Sequence, residues 1–285
     1  MPAPAETLLI SVVQADLKWE DKRANLRMFE DMIATSQEKM EVVLLPEMFS
    51  TGFIMQPQPL AENMEGETIA WMKRVSAEYR IILAGSLIIE EEKKYFNRLI
   101  WMLPNGSYGY YDKRHLFAYA GEDAEYSSGN RRLITSVKGW KLNLLICYDL
   151  RFPVWARQSA GVEPGPDGGW VKKEDAAGDA EYDVLVYVAN WPEKRVHAWK
   201  TLLQARAIEN QCYVAGCNRV GTDGGGLTYS GDSMIVDPMG EIIARKTNEP
   251  GIITSELRYS HLKAVREKLP FLRDSDPFII GRSQP

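Results

Sequence analysis

Apolar residues fall along this chain in two rhythms. Continuous apolar runs of strand length occur at 8–13 (LLISVV), 42–45 (VVLL), 80–89, 182–189 (YDVLVYVA) and 211–217, and each reads as a buried strand. Between them, 21–37 carries Leu26, Phe29 and Ile33 at helical spacing with charges interleaved; 67–79 and 194–210 are also expected to be helices. Segments 95–103 and 108–111 flank Pro104-Asn105-Gly106, and 133–137 and 141–146 flank Gly139, so both pairs are predicted hairpins. Strands follow at 233–236, 241–245 and 251–257, separated by turns at Pro238-Met239-Gly240 and Glu249-Pro250-Gly251, before a last helix over 259–269. The polar stretches 56–66 and 112–132 and the glycine run at 223–226 read as loops.

Helices and strands in succession, with both buried runs and hairpins, predict an α/β fold, a sandwich of two or four layers. No composition break divides the chain, so residues 1–285 are expected to form a single domain. Within it, 161–179 (GVEPGPDGGWVKKEDAAGD) has no periodicity and much Gly, Pro and acid, which predicts an exposed insertion; 270–285 reads as a polar C-terminal tail with aromatics.

Composition narrows the function classes. The chain is 45% hydrophobic and 26% charged, ordinary for a globular protein, and its net charge of -5 offers no electrostatic footprint for nucleic acid. No apolar run approaches the ~18 residues a membrane span needs, and the first residues, MPAPAETLLISVVQAD, lack the basic start of a secretion signal. Three cysteines are few and odd in number, which argues against a disulfide framework and for a reducing compartment, so a cytoplasmic location is expected. Cys212 and Cys217 lie inside an apolar segment without metal-ligand spacing and read as core residues.

Cys147 differs. The run Leu144-Leu145-Ile146 ends on it, Tyr148-Asp149 turn the chain, and Pro153 opens a helix predicted over 153–158. Strand, sharp turn and helix put the thiol at a strand's carboxyl end beside unpaired backbone N–H groups, where a nucleophile is held rigidly. Taken alone it reads first as a buried structural cysteine. Two other strand ends repeat the pattern: 42–45 runs into Glu47, and 108–111 runs into Lys113. Separately these read as a strand cap and a solvated basic turn; converging, they put a carboxylate, an ammonium and a thiol in one crevice. His115, two residues past Lys113, leaves a Cys–His pair open as the alternative.

The stretches LLPEMFSTGF, YDKRHLF and LLICYDLRFPVW, in that order, resemble the nitrilase superfamily of carbon–nitrogen hydrolases, and the resemblance continues through ANWPEKRVHAWKTLLQARAIENQCYVAGCNRVG and GDSMIVDPMGEII. It implies a four-layer αββα sandwich that pairs as a homodimer near 153–158. It makes Cys147 the nucleophile, Glu47 the general base and Lys113 the stabiliser of the tetrahedral intermediate, with no metal or organic cofactor. A second glutamate borders the site in this superfamily; Glu122 matches it, with Glu125 as the other candidate. The backbone N–H of Tyr148 joins Lys113 as oxyanion donor. A non-catalytic binding member of the fold is the remaining alternative.

The phrases YDKRHLF, CYDLRFPVWAR and YVANWP resemble the omega-amidase group, whose substrates are small 2-oxo dicarboxylic acid monoamides such as 2-oxoglutaramate, cleaved with water. Such substrates carry a carboxylate remote from the amide. Arg151 is a candidate receptor for it, and Phe117, Trp191 and Phe49 are candidate pocket walls. Other small amides, N-carbamoyl compounds and nitriles are compatible with the same three reacting residues.

Overall fold

The computed structural model describes residues 3–158, 162–164, 170–172, 180–276 and 278. The first half builds β1 (Thr7–Gln14), α1 (Lys22–Thr35), β2 (Val42–Leu44), α2 (Glu67–Tyr79), β3 (Ile82–Glu91), β4 (Lys94–Met102) and β5 (Tyr108–Asp112). With β15 (Gly251–Arg258) from the far end of the chain, these strands form a six-stranded sheet in the order β15-β1-β2-β3-β4-β5, parallel at its centre. Two-residue alternation assigns its faces: Leu8, Ile10, Val12, Val42, Leu44, Leu99 and Trp101 enter one apolar cluster, while Val13, Val43, Leu83, Ile100 and Met102 enter another. Leu26, Phe29 and Ile33 of α1, and Ile69, Met72 and Val75 of α2, complete the second cluster, so both helices cover that face.

The second half builds α3 (Glu122–Glu125), β6 (Leu133–Val137), β7 (Trp140–Ile146), α4 (Pro153–Ala156), β8 (Val162–Pro164), β9 (Trp170–Lys172), β10 (Val184–Val188), α5 (Val196–Asn210), β11 (Tyr213–Cys217), β12 (Val220–Thr222), β13 (Thr228–Val236), β14 (Ile242–Thr247) and α6 (Tyr259–Lys268). Its seven-stranded sheet runs β12-β13-β11-β10-β7-β6 with β14 on β13. Leu142, Leu144, Ile146, Val186 and Val214 share the first cluster with the six-stranded sheet, so the sheets pack face to face. On the outer side, α5 lies directly on β11: a Cβ at Gly216 would sit 2.6 Å from Leu203 and 2.9 Å from Trp199, which only glycine avoids. Helix, sheet, sheet and helix make one four-layer α/β domain, as expected.

Some local expectations change. The helix expected over 153–158 is a single turn, α4, because Phe152 leaves helical backbone geometry and Arg157 is already extended. The loop expected over 112–132 holds a 3-10 turn at Ala118–Ala120 and the short α3. β12 was not foreseen, and β13 starts earlier than its apolar end suggests. Within 161–179, β8 pairs antiparallel with β9, Val162 opposite Lys172; the rest of that segment lies outside the described residues, as does most of the tail beyond 276.

Candidate active site

The carboxyl ends of β2, β5 and β7 meet. Glu47, Lys113 and Glu122 are fully buried, and the Lys113 ammonium bridges the two carboxylates: Nζ lies 2.8 Å from Glu47 Oε1, and 3.1 and 2.8 Å from the two Glu122 oxygens. Asn97 Nδ2 donates to Glu47 Oε1 at 2.8 Å and to Glu122 Oε1 at 3.3 Å, and the Phe117 N–H donates to Glu122 Oε2 at 2.6 Å. Lys113 is held along its backbone too, donating to Asn97 O at 3.0 Å and accepting from Gly129 N at 2.9 Å. A Cβ at Gly129 would lie 2.1 Å from Asp112 O, so glycine is required where this loop crosses the strand.

Burial is affordable for these charges only because each is paired. Burial alone would push the Lys113 ammonium down, but the carboxylates of Glu122 and Glu47 outweigh it and hold the lysine above its ordinary value. The Glu122 carboxyl is raised by burial, against the pull of Lys113 and with the push of Glu47.

Cys147 closes the site. Its φ of +41° is left-handed, uncommon for a residue with a Cβ, and marks the sharp turn from β7 into a 3-10 turn at Cys147–Arg151. Asp149 fixes that turn. Buried, it accepts from Ile146 N at 3.0 Å and Tyr111 OH at 2.8 Å on one oxygen, and from His115 N at 3.0 Å and His115 Nδ1 at 2.8 Å on the other. The Cys147 turn is therefore tied to β5 and to the chain just past Lys113. His115 is committed to Asp149 and stacks on Phe152 at 3.9 Å, so it does not serve Cys147. The thiol faces Asn190 O at 4.0 Å. Asn190 donates its backbone N–H to Glu47 Oε2 at 2.9 Å and its side-chain amide to Glu47 O at 2.5 Å. Burial first, then the Glu47 carboxylate, push the Cys147 thiol well above its ordinary value, against the pull of Lys113. Cys147 therefore rests as the thiol, with even less thiolate than a free cysteine holds at neutral pH.

Lys113 and Cys147 line a cavity of about 960 Å³ together with Tyr148, Phe117, Trp191 and Arg151. The four residues expected to contact substrate thus line one cavity. Phe49 does not: it packs between Phe29 and Trp71 in the α1–α2 layer, at ring separations of 5.7 and 5.9 Å, because the chain reverses at Met48 (φ +44°) and carries it to the other face. Glu125 is also elsewhere, exposed and accepting from Gln58 Nε2 at 3.0 Å. Sequence reasoning missed Asn97, Asn190 and Asp149. Asn190 follows the buried strand β10 as Glu47 follows β2, so the same strand-end signal was available. Asn97 was visible as a polar residue among the apolar positions of β4. Among the described residues no group of three or more His, Cys, Asp or Glu side chains is arranged to hold a metal ion.

The chain matches the carbon-nitrogen hydrolase family over residues 9–163 and 175–267. It is 42% identical to omega-amidase YafV of Yersinia enterocolitica over 279 residues, spanning 96% of this chain and 99% of that one. It is 31% identical to 2-oxoglutaramate amidase of Bacillus subtilis over 268 residues, spanning 93% and 96%. Among solved structures, XC1258 of Xanthomonas campestris, a CN-hydrolase superfamily protein with an arsenic adduct in its active site, superposes with a TM-score of 0.90 at 38% identity, covering 97% of this chain and all of that one.

Proposed function

The chain belongs to the carbon–nitrogen hydrolase family and is an amidase, and we propose that it is an omega-amidase, releasing ammonia from the terminal amide of 2-oxoglutaramate and 2-oxosuccinamate. The observation that carries this reading is the cavity in which Cys147 and the carboxylate-bridging Lys113 open onto Arg151, which has no ion pair among the described residues. The names borne by the Yersinia and Bacillus relatives support it.

In this reading Cys147 is the nucleophile. Its sulfur forms a bond to the amide carbon as Glu47 takes the thiol proton, and the carbonyl π electrons move onto oxygen. With the thiol held high, proton removal accompanies attack rather than preceding it. The oxyanion is met by the Lys113 ammonium and by the Tyr148 N–H, which stands in the first turn of a helix where backbone donors lack intrahelical partners. One such donor is worth about 3–4 kcal/mol in the transition state. Collapse breaks the C–N bond, Glu47 returns the proton to the departing nitrogen, and ammonia leaves a thioester. Glu47 then takes a proton from water, whose oxygen attacks the thioester. The C–S bond breaks, the sulfur recovers a proton, and the carboxylic acid is released. Glu122 holds Lys113 in register throughout; Phe117 and Trp191 wall the substrate, and Arg151 receives its carboxylate.

The reading extends to a cytoplasmic homodimer that binds neither nucleic acid nor membrane. Val154 on α4 and Ile208 on α5, 56% and 55% exposed, offer apolar surface beside the Cys147 turn for a second copy. No described helix is long and apolar enough to cross a membrane.

The test is ammonia release from 2-oxoglutaramate, glutamine, an N-carbamoyl amino acid and a simple nitrile, by wild type and by Cys147→Ala. Turnover of the 2-oxo amide that vanishes in Cys147→Ala is expected. Preference for another member of the panel would move the substrate while keeping the chemistry. Activity that survives Cys147→Ala would remove the thiol mechanism.

A further inference from the structure

We propose that Arg195 is a specificity-determining residue of this amidase, the second guanidinium of a two-arginine receptor for the acidic end of the substrate. The inference rests on the substrate reading above and deepens it.

Arg195 ends a 3-10 turn at Glu193–Arg195, between Trp191 and α5, while Arg151 ends the 3-10 turn that begins at Cys147. The two come from different elements and line the same cavity as the thiol. Each is laid over an aromatic ring of that cavity: the Arg195 guanidinium carbon lies 5.3 Å from the Phe117 centroid, and that of Arg151 lies 5.0 Å from the Trp191 centroid. The two supports are linked, because Trp191 Nε1 donates to Arg195 O at 2.8 Å. The backbone of one arginine thus holds the ring beneath the other.

Among the other arginines, Arg98 pairs with Asp112 and Glu91, Arg206 with Glu209, Arg219 with Asp16 and Arg266 with Asp183, while Arg114 and Arg157 donate to the backbone carbonyls of Gly129 and Glu209. Arg195 and Arg151 have no ion pair among the described residues. Of the acids nearby, all but Glu20 are held by other groups. Asp223 accepts from the backbone N–H groups of Gly225 and Leu227 and from Tyr229 OH, and Glu193 accepts from Thr228 Oγ1. Glu47 and Glu122 are held by Lys113, and Glu20, which also lines the cavity, is exposed. Stacking on a ring leaves the in-plane N–H fork of a guanidinium free, and that fork matches a carboxylate in two parallel bonds. A 2-oxo acid terminus presents a carboxylate and an adjacent carbonyl oxygen, more acceptor than one fork satisfies. Two guanidinium groups with no internal partner fit such a terminus.

The experiment measures kcat and KM for 2-oxoglutaramate and for an uncharged amide of equal length, such as valeramide, in wild type, Arg195→Ala, Arg195→Lys and Lys194→Ala. Lys194 is an exposed cation on the same turn that does not line the cavity, so its variant reports the general loss of positive charge. We expect Arg195→Ala to lose about ten- to hundredfold in the ratio of kcat/KM for acidic over uncharged amide, carried mainly by KM. Arg195→Lys should recover part of that ratio, and Lys194→Ala should keep it. A merely structural role would lower both substrates alike and move the ratio little, which overturns the assignment. If wild type prefers 2-oxoglutaramate and Arg195→Ala keeps that preference, Arg195 is excluded and the substrate reading stands. If wild type shows no preference for the acidic amide, both fall together.

Discussion

Replacing Lys113 with methionine tests the buried charge cluster on which the site depends. The ammonium is fully buried within 2.8 Å of oxygens from both Glu47 and Glu122, so the variant leaves two carboxylates facing each other without their cation. Breaking a buried ion pair by removing one partner costs about 3–5 kcal/mol. An independent bound agrees. A stranded carboxylate escapes by taking up a proton, which from an ordinary glutamate pKa of about 4.3 costs roughly 4 kcal/mol at pH 7.5, at about 1.4 kcal/mol per pH unit. The remaining carboxylate keeps its bonds from Asn97 and from the Asn190 N–H. The sign of the pH effect follows. In the variant the stranded carboxyl titrates higher folded than unfolded, so the native state holds the extra proton and stability falls as pH rises. Urea unfolding at pH 7.5 should place Lys113→Met about 3–5 kcal/mol below wild type, and the gap should narrow by up to about 3 kcal/mol at pH 5.5. Adding Glu122→Gln to Lys113→Met should restore part of the loss at pH 7.5 by removing one of the two charges. A Lys113→Met protein within about 1 kcal/mol of wild type, with a gap that does not change between the two pH values, would refute a buried ammonium shared by two carboxylates.

Two further substitutions separate the roles of neighbours. Glu47→Gln removes the negative charge that, after burial, raises the Cys147 thiol; turnover should fall about 10²–10⁴-fold while the alkylation profile of Cys147 shifts to lower pH, and an unshifted or upward-shifted profile would contradict the arrangement. Asp149→Asn puts an amide where the carboxylate now accepts from Ile146 N, Tyr111 OH and both His115 donors, so it should cost about 3 kcal/mol or more in urea unfolding and lower kcat by loosening the Cys147 turn; a loss under 1 kcal/mol would mean that the turn does not depend on it.

What was readable from sequence was local. The strands β1, β2, β10 and β11 are buried on both faces and so announce themselves as unbroken apolar runs, and α1 and α2 show their stripes because one side faces solvent. Glu47 and Cys147 were legible for the same reason: a chemically capable residue just past a buried strand stands at the sheet's end whatever the rest of the chain does; Lys113 follows the half-exposed edge strand β5 and was legible only as the third strand end of that pattern. Elements of one turn carry no period, so the 3-10 turn at Glu193–Arg195, the short α3 and the truncated α4 were hidden, and Arg195, whose placement depends on such a turn, was hidden with them. The contrast between Phe49 and Phe117 makes the limit concrete. Both follow a candidate site residue, at similar remove, in an apolar-flanked loop. One enters the core and the other the cavity, because the chain turns left-handed at Met48, whereas Phe117 is held by its N–H to Glu122, a residue brought beside it by the loop from Gly121. Asp149 shows the same dependence: as a sequence feature it is a turn residue, and only the arrival of Tyr111 and His115 makes it the bond between the thiol's turn and the lysine's strand. The groups proposed to react are therefore written at strand ends, while those proposed to orient and discriminate among substrates are written in the short irregular turns between them, where only the assembled fold decides which side chains meet.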